Sequence, residues 1–430
     1  MYDLARKLFP ICRSITGDGV RETLDILKSE YKGDMKIYEV PSGTEVFDWT
    51  VPKEWNIKDA YIETSSGDRI LDFKENNLHV VGYSLPMDKI LTLDELKEII
   101  YTQPDQPDVI PYVTSYYKER SGFCMSEIQK CSLKEDQYHC VIDSELKDGS
   151  LTYGEIILPG ETEQEILLST YICHPSMANN EVSGPVVTIE LAKWLLAIKR
   201  RYTYRIIFIP ETIGSITYLS RNLETMKKNT VAGFVLSCVG DDRTYSYIES
   251  KYADTLTDKL IKNVLSFHYP EYKRYSFLQR GSDERQYNAP GVDLPVCAVC
   301  RSKYGEYPEY HTSADDLSLI SEEGLQGMLS FMKKCINALE YNYFYKVLCL
   351  CEPQLGKRGL YPTISQKGAA DATRKMTNFI TYADGTNDFI DISNKIGVDT
   401  ESLIDVVDKL LAGGVIERSC KKTKEGRIDG

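Results

Sequence analysis

The chain has 430 residues, 42% of them hydrophobic, with 28 glycines and 17 prolines; this is a globular composition, and the length predicts roughly two to four domains. A formal net charge of −13 speaks against non-specific nucleic-acid binding and against docking to an acidic membrane surface. No basic-then-apolar leader follows Met1 and no apolar run reaches the ~18 residues of a membrane span, so the expectation is a cytoplasmic protein whose 12 cysteines are reduced thiols.

Leu4, Phe9 and Ile11 give a helical start that ends in the loop 13–19, and the helical pattern resumes from Val20 to Glu30. Residues 36–40 read as a strand closed by Pro41-Ser-Gly43. From about Trp49 the texture changes: short aromatic and β-branched runs at 60–62, 69–71 and 79–83 are separated by turn-formers. Thr92 with Glu95 three residues on predicts a capping box. The segment 103–111 carries Pro104, Pro107 and Pro111 and cannot be regular structure. Residues 48–125 are therefore expected to form an inserted β-rich domain.

Beyond the insertion, strand-like runs (151–158, 166–173, 204–209, 231–237, 294–299) alternate with helical ones (185–199, a helix within 252–267, 316–343). That alternation predicts an α/β domain, a mostly parallel sheet covered by helices on both faces, made from residues 1–47 and 126–348. Residues 349–374 are rich in Pro and Gly and read as a linker. Three short helical patterns at 376–383, 389–396 and 401–411, with Gly397 and Gly413-Gly414 between and after them, then lead into Val415-Ile416. This spacing predicts a winged helix-turn-helix within 349–430.

Five histidines narrow the search for chemistry. His174 ends the apolar run 166–173 and precedes a polar loop and Ser183-Gly184-Pro185, a helix start. Open α/β sheets bind ligands at the carboxyl ends of their strands, which makes His174 a candidate metal ligand. His311 lies in the tyrosine-rich segment 304–316, which is either an aromatic substrate wall or a surface loop, with Ser313 or Asp315 placed to cap the following helix. His79 and His139 fall in strand patterns and suit core or surface positions; His268 sits near a helix end without a role. Glu211 follows Ile-Phe-Ile-Pro210 at another strand end, as a general base or as a carboxylate stabilised at a helix N-terminus. Asp283, within Gly281-Ser-Asp-Glu-Arg-Gln-Tyr287, is an oxygen ligand or a turn residue. Cys297-Ala-Val-Cys300 lies in a strand-like run with no partner pair and reads as packing.

Taken together, His174, Glu211, Asp283 and His311 stand at the ends of strand-like runs in an order that resembles the zinc aminopeptidases of the two-metal class. The resemblance implies His174, Asp283 and His311 as metal ligands and Glu211 as the catalytic base. Over nearly the whole chain the sequence more closely resembles a bacterial family of aminopeptidase-like proteins found beside polysaccharide biosynthesis functions, with an inserted β-rich domain and a C-terminal winged helix. The segments 13–21, 110–117, 173–184, 281–287 and 310–313 carry that resemblance. Against the two-metal pattern, this chain has Asn180 where the bridging aspartate stands, Ser176 where a carboxylate orients the first histidine, and Thr212 in place of a second glutamate. A neutral amide bridges two cations poorly. The resemblance therefore implies one zinc ion rather than two, with Asn180 or Glu181 completing the shell, and it makes Arg285, Tyr304 and Tyr310 candidate substrate contacts.

Three functions fit these residues. The first is a zinc-dependent hydrolase of an amide bond, an aminopeptidase-like enzyme acting on a peptide or amide-bearing small molecule, in polysaccharide or modified-sugar metabolism. The second is a catalytically altered relative that binds metal or ligand. The third is a DNA-binding regulator, against which the recognition-helix candidate 400–409 counts, being acidic where phosphate contacts need Lys and Arg. The short basic tail Lys421-Lys-Thr-Lys424 does not offset it. The winged helix is expected to pack or to bind protein.

Overall fold

In the computed structural model, which describes residues 1–116, 118–360 and 369–419, the main sheet has eight strands. They are β1 (Lys36–Pro41), β2 (Ser150–Leu158), β3 (Glu165–Tyr171), β4 (Thr203–Ile209), β5 (Thr230–Leu236), β6 (Ser246–Ile248), β7 (Lys273–Tyr275) and β8 (Val296–Cys300). Their spatial order is β1-β2-β4-β3-β5-β8-β6-β7. The centre is parallel, β4 to β3 to β5 to β8, while β2 joins antiparallel between β1 and β4 and β6 antiparallel to β8. Every residue of β3 and β8 is buried, which is why these strands read as unbroken apolar runs. The charged residues buried with them are paired: Arg205 in β4 meets Glu165 at 2.7 Å and Glu155 at 3.2 Å. Cys297 and Cys300 are buried in β8, as packing residues.

Two helices follow the strands that matter for the site, α1 (Ser183–Leu196) after β3 and α2 (Ile213–Asn229) after β4. A single π-helical turn, Ala178–Val182, precedes α1. The first ten residues of α1 are almost all buried, so its amphipathic stripe is confined to its end. Gly184 permits this close seating: a Cβ there would stand 2.6 Å from the Leu236 carbonyl oxygen of β5 and against Thr170 of β3. Ile213, Ile216, Leu219, Leu223 and Met226 recur at helical spacing through α2 and pack on the core, a helix that the sequence reading did not draw. The long helix after the His311 segment runs Glu322–Glu340, starting later than expected.

The inserted region forms a four-stranded antiparallel sheet in the order Arg69–Asp72, Glu54–Glu63, Gln137–Lys147, Met87–Thr92. Gln137–Lys147 is an inner strand of that sheet, so the expected boundary at residue 125 falls short of it. Its buried positions alternate (Tyr138, Cys140, Ile142, Ser144), the mark of a half-covered antiparallel strand. The run 79–83 is no strand; Asn77–His79 is a 3-10 turn, and Val80 and Gly82 make isolated bridges. The Thr92–Glu95 capping box is present. All of this, with the main sheet, lies in the first of two units, Met1–Lys251 with Lys273–Leu329.

The second unit is Tyr252–Tyr272 with Ser330–Gly430. Its three-stranded antiparallel sheet, in the order Asp384–Asp388, Phe344–Val347, Ile416–Ser419, accompanies helices Ala369–Tyr382, Phe389–Ile396 and Thr400–Ala412. Asp388 and Asp399 cap the last two, and Gly397 at φ +63° ends the first of that pair. This is the expected winged helix, but it takes in the strand from Phe344, upstream of the supposed linker. The helix Leu256–His268 belongs with it, its Asn263 Nδ2 donating to Ser393 Oγ at 2.9 Å. The basic stretch Lys421–Lys424 lies outside the described residues. Among those described, no helix is long and apolar enough to cross a membrane.

Candidate active site

The parallel register of β3 and β4 pairs Tyr171 with Ile209, and the Ile172 N–H still donates to the Ile209 oxygen at 2.9 Å. The two strands end flush, so His174 and Glu211, a few residues further on, emerge side by side. His174 Nε2 lies 3.8 Å from Glu211 Oε2. The other ring nitrogen, Nδ1, is 2.8 Å from Glu181 Oε2. Glu181 in turn faces Arg13, whose Nε is 3.5 Å from Oε1 and donates to the His174 carbonyl at 2.9 Å. A carboxylate on Nδ1 fixes the ring and its tautomer, leaving the Nε2 lone pair toward Glu211. Ser176, at the position where an orienting carboxylate was missed, donates to the Phe9 carbonyl at 3.0 Å; the π turn returns Glu181 to the histidine instead. Asp315 holds that turn, accepting from the N–H groups of Asn179 at 2.6 Å and Asn180 at 3.0 Å and from the Tyr307 hydroxyl at 2.9 Å. It is therefore not the cap of the long helix, where Ser321 Oγ accepts the Gly324 N–H.

His311 sits at φ +57°, uncommon for a residue with a side chain. Its backbone is clamped by the insertion: Tyr112 N–H donates to the His311 oxygen and Ser313 N–H to the Ile110 oxygen, both at 2.9 Å, around a Pro111–Thr312 bridge. The His311 ring stacks on Tyr310 with centroids 3.8 Å apart and lies 5.3 Å from the His174 ring. Tyr112 covers both imidazoles, 5.4 Å from His174 and 5.1 Å from His311. Asp283 Oδ1 accepts from the Thr212 N–H at 2.7 Å and from Ser215 Oγ at 2.8 Å, which ties it to the start of α2. Asn180 Nδ2 donates to the Tyr171 hydroxyl at 2.7 Å.

Burial, reinforced by the Arg13 charge, pushes His174 down to about 3, and burial beside His174 pushes His311 down to about 2. Both rings are neutral at neutral pH, the form that binds a metal. Burial, with Asp283 nearby, raises Glu211 to about 8; burial raises Asp283 to about 7 and Glu181 to about 8. Arg13 faces Glu181, and Arg285 lies near Glu211 and Asp283, yet burial outweighs these charges in all three carboxyl groups. Asp283 Oδ2, His311 Nε2 and Asn180 Oδ1 are also buried with no hydrogen-bond partner among the described residues, each a cost of about 1–3 kcal/mol. A divalent cation answers both deficits, and neutral imidazoles with a carboxylate suit zinc. The site group whose ligand atoms come within 4.8 Å of one another is Cys173, His174 and Glu181, not the expected set. Within it, Arg13 already faces Glu181, and Cys173 Sγ accepts the Glu211 N–H at 3.2 Å. The expected donors suit zinc by their chemistry, but the ligand atoms of His174, Asp283 and His311 do not all come within 4.8 Å of one another.

A cavity of about 500 Å³ opens onto His174, Glu211 and His311, with Trp49, Tyr112 and Tyr116 among its walls. A family model described as a domain of unknown function, DUF4910, matches residues 2–342. The chain belongs to the DUF4910 family. A winged helix-turn-helix model matches residues 343–418. A Clostridium acetobutylicum protein provisionally named as a polysaccharide biosynthesis protein with an aminopeptidase-like domain is 48% identical over 414 residues, 95% of this chain and 94% of its own. A crystal structure from C. acetobutylicum, provisionally described as a peptidase, is similar with a TM-score of 0.92 at 46% identity, covering 97% of this chain and 96% of that one. A zinc aminopeptidase from Bacillus subtilis is similar at a TM-score of 0.56 and 14% identity, over 79% of this chain and 94% of its own. That last likeness shows the fold, an aminopeptidase-like α/β sheet, and the resemblance read from the sequence holds at that level.

In this DUF4910 chain Arg285 lines the cavity, with Glu211, His174 and His311. Asp283 and Asn180 are buried and are not on its wall. Tyr304 is a correction: its hydroxyl donates to Glu284 Oε1 and accepts the Gly281 N–H at 3.0 Å, so it braces the Asp283 loop and does not face a substrate. Tyr310 is likewise absent from the wall and backs His311. Sequence reading missed Arg13, Trp49 and Tyr112 as site residues. The segments 13–21 and 110–117 stood out as motifs, but nothing local in them points to a site.

Proposed function

We propose that this DUF4910 chain is a metal-dependent hydrolase of an amide bond, aminopeptidase-like, with a peptide or an amide-bearing small molecule as its substrate. One observation carries the reading: Glu211, a half-buried carboxyl at a strand end, stands 3.8 Å from His174 Nε2 beside an aromatic-walled cavity. One zinc ion, held by His174, Asp283 and His311 with Asn180 as a further oxygen, would polarise the scissile carbonyl and acidify water. Glu211 takes the proton of the attacking water and hands it to the departing nitrogen. A proton affinity raised to about 8 by burial suits a group that must first accept and then release a proton near neutrality. Glu181 and Arg13 hold the His174 ring; Tyr112 shields both imidazoles from solvent. The name of the C. acetobutylicum relative adds modified-sugar amides to the substrate classes worth testing.

The test is a panel of aminoacyl and N-acyl-sugar amides assayed with added zinc. Glu211→Gln is expected to lower kcat by about 10²–10⁴-fold without loss of fold. No turnover across the panel, or an undiminished rate in the variant, overturns the reading. Asn180 and Thr212, neutral where two-metal enzymes carry carboxylates, favour a second reading, a descendant that binds without turnover. Elemental analysis separates the two: protein purified from zinc-replete growth and free of zinc supports the second.

A further inference from the structure

Arginines of the first unit find partners in two ways. Arg13 has Glu181 at 3.5 Å, Arg21 has Glu54 at 2.5 Å and Arg205 has Glu165 at 2.7 Å, whereas Arg301 donates to the Asp241 carbonyl and Arg120 to the Thr114 carbonyl and the Tyr101 hydroxyl. Arg285 differs from both groups in facing the cavity. It is half-buried on the cavity wall, and among the described residues no carboxylate oxygen lies within 4.0 Å of its guanidinium. Its Nη2 donates to Thr212 Oγ1, a neutral hydroxyl, and its Nε is buried with no hydrogen-bond partner. The neighbouring carboxylate, Glu284, accepts at Oε1 from Tyr304 and from the N–H groups of Gly281 and Ser282, and its Oε2 has no hydrogen-bond partner among the described residues. The guanidinium feels the Glu211 and Asp283 charges but hydrogen-bonds neither, which leaves donors free on the cavity side, and arginine is the side chain best shaped to grip a carboxylate or phosphate with two parallel hydrogen bonds.

The surroundings sharpen the point. Thr212 stands where the two-metal enzymes have a second glutamate, so this chain sets a cation beside a position that elsewhere carries an anion. Among the described residues lining the cavity, Arg285 is the sole cation of fixed charge and Glu211 the sole carboxylate. With Glu211 given to proton transfer, the cavity offers no further anion for the ammonium group of a free amino terminus. It does offer an unpaired guanidinium beside the reacting groups, with Trp49, Tyr112 and Tyr116 as faces for a ring.

We propose that Arg285 binds an anionic group of the substrate, so that the amide this cavity accepts carries a carboxylate or a phosphate close to the scissile bond. The inference rests on the hydrolase reading of the same cavity, but its test measures binding without turnover. Calorimetric titration of the full chain as purified uses two matched pairs: N-acetylphenylalanine against its primary amide, and N-acetylglucosamine 1-phosphate against N-acetylglucosamine. The anionic member of at least one pair is expected to bind tenfold or more tighter than its neutral partner, and the pair that shows it tells carboxylate from phosphate. Arg285→Gln removes that preference while the neutral member binds as before; Arg285→Lys, which keeps the charge but not the fork, keeps part of it. Should the Gln variant fail to fold, a preference unchanged in Arg285→Lys counts against the proposal. No charge preference in the wild type, no binding of either anion at millimolar concentration, or an unchanged preference in Arg285→Gln overturns it. Charge-selective binding with no hydrolysis of any amide defeats the hydrolase reading alone; hydrolysis indifferent to substrate charge defeats this one alone.

Discussion

Glu181→Gln keeps a side chain's shape and removes its charge, which leaves the Arg13 guanidinium without its carboxylate and His174 Nδ1 with a weaker acceptor. Partners of this kind tune a ligand's orientation and basicity, and their loss costs about 10–100-fold in metal affinity. A competition titration with a chromophoric zinc chelator is expected to find that loss; equal affinity in the variant would mean that the Glu181–His174 contact does not orient the ligand. A second carboxylate, Glu54, answers to pH. It accepts from Arg21 at 2.5 and 3.0 Å, from the Ser150 N–H at 3.0 Å and from Asn56 at 3.0 Å. The Arg21 hydrogen bonds, first among these, bring it from 4.5 down to about 2. A depressed carboxyl contributes stability that is fully present above its unfolded value and disappears as the pH falls through the folded one. Glu54→Gln is therefore expected to lower the urea midpoint at pH 7 by an amount worth about 2–3 kcal/mol, and the gap to wild type should narrow below about pH 4.5. A gap independent of pH would exclude the ion pair as its source. His174, Glu211 and His311, which line one cavity, stood out in the sequence because each has a local context, an apolar run, a Pro or a tyrosine-rich segment; Asp283 stood out through its Gly-Ser turn but lies off the cavity wall. Glu181 and Arg13 did not stand out. Glu181 acts through a π turn that no periodicity announces, and Arg13 reaches His174 across 161 residues of sequence.

The helix α1 and strands β3 and β5 meet at a contact that only hydrogen fits. Gly184→Ala would put a methyl 2.6 Å from the Leu236 oxygen, and backbone cannot give way as a side-chain tip can. We expect a loss of about 1–3 kcal/mol, read from the urea midpoint, and weaker zinc binding, because the displaced helix begins where the Glu181 turn ends. An unchanged midpoint would show that α1 can lift without cost. The parallel strands were readable at this scale because burial on both faces leaves continuous apolar runs. Gln137–Lys147 was misassigned to the α/β domain because its partner strands lie on the far side of an irregular loop, and pairing is a property of two segments. The helix α2 was hidden for a different reason. It opens with Thr212 at φ +64° and with no capping side chain, so the usual start signals are missing.

At the scale of the molecule, charge and family agree about the winged helix. Helix Thr400–Ala412, the recognition-helix candidate, carries Glu401, Asp405 and Asp408 against Lys409, in a chain of net charge −13. A mixed duplex at low salt is expected to show no retardation in a gel shift; a shift that weakens steeply with salt would reinstate a DNA-binding role. The sequence suggested three parts, but the inserted sheet and the main sheet fall in one unit; the Pro- and Gly-rich stretch and the helical spacing after it marked the winged helix, which borrows a strand and a helix from upstream. The clamp of residues 110–112 on 311–313 bears on modularity. An insertion is ordinarily a passenger whose ends lie close together and whose removal leaves the host intact. Here the passenger hydrogen-bonds the backbone that presents His311 and roofs both imidazoles, so trimming the chain toward a minimal α/β core would unmake the site it was meant to isolate. The insertion and the main sheet have to be inherited, and engineered, as one object.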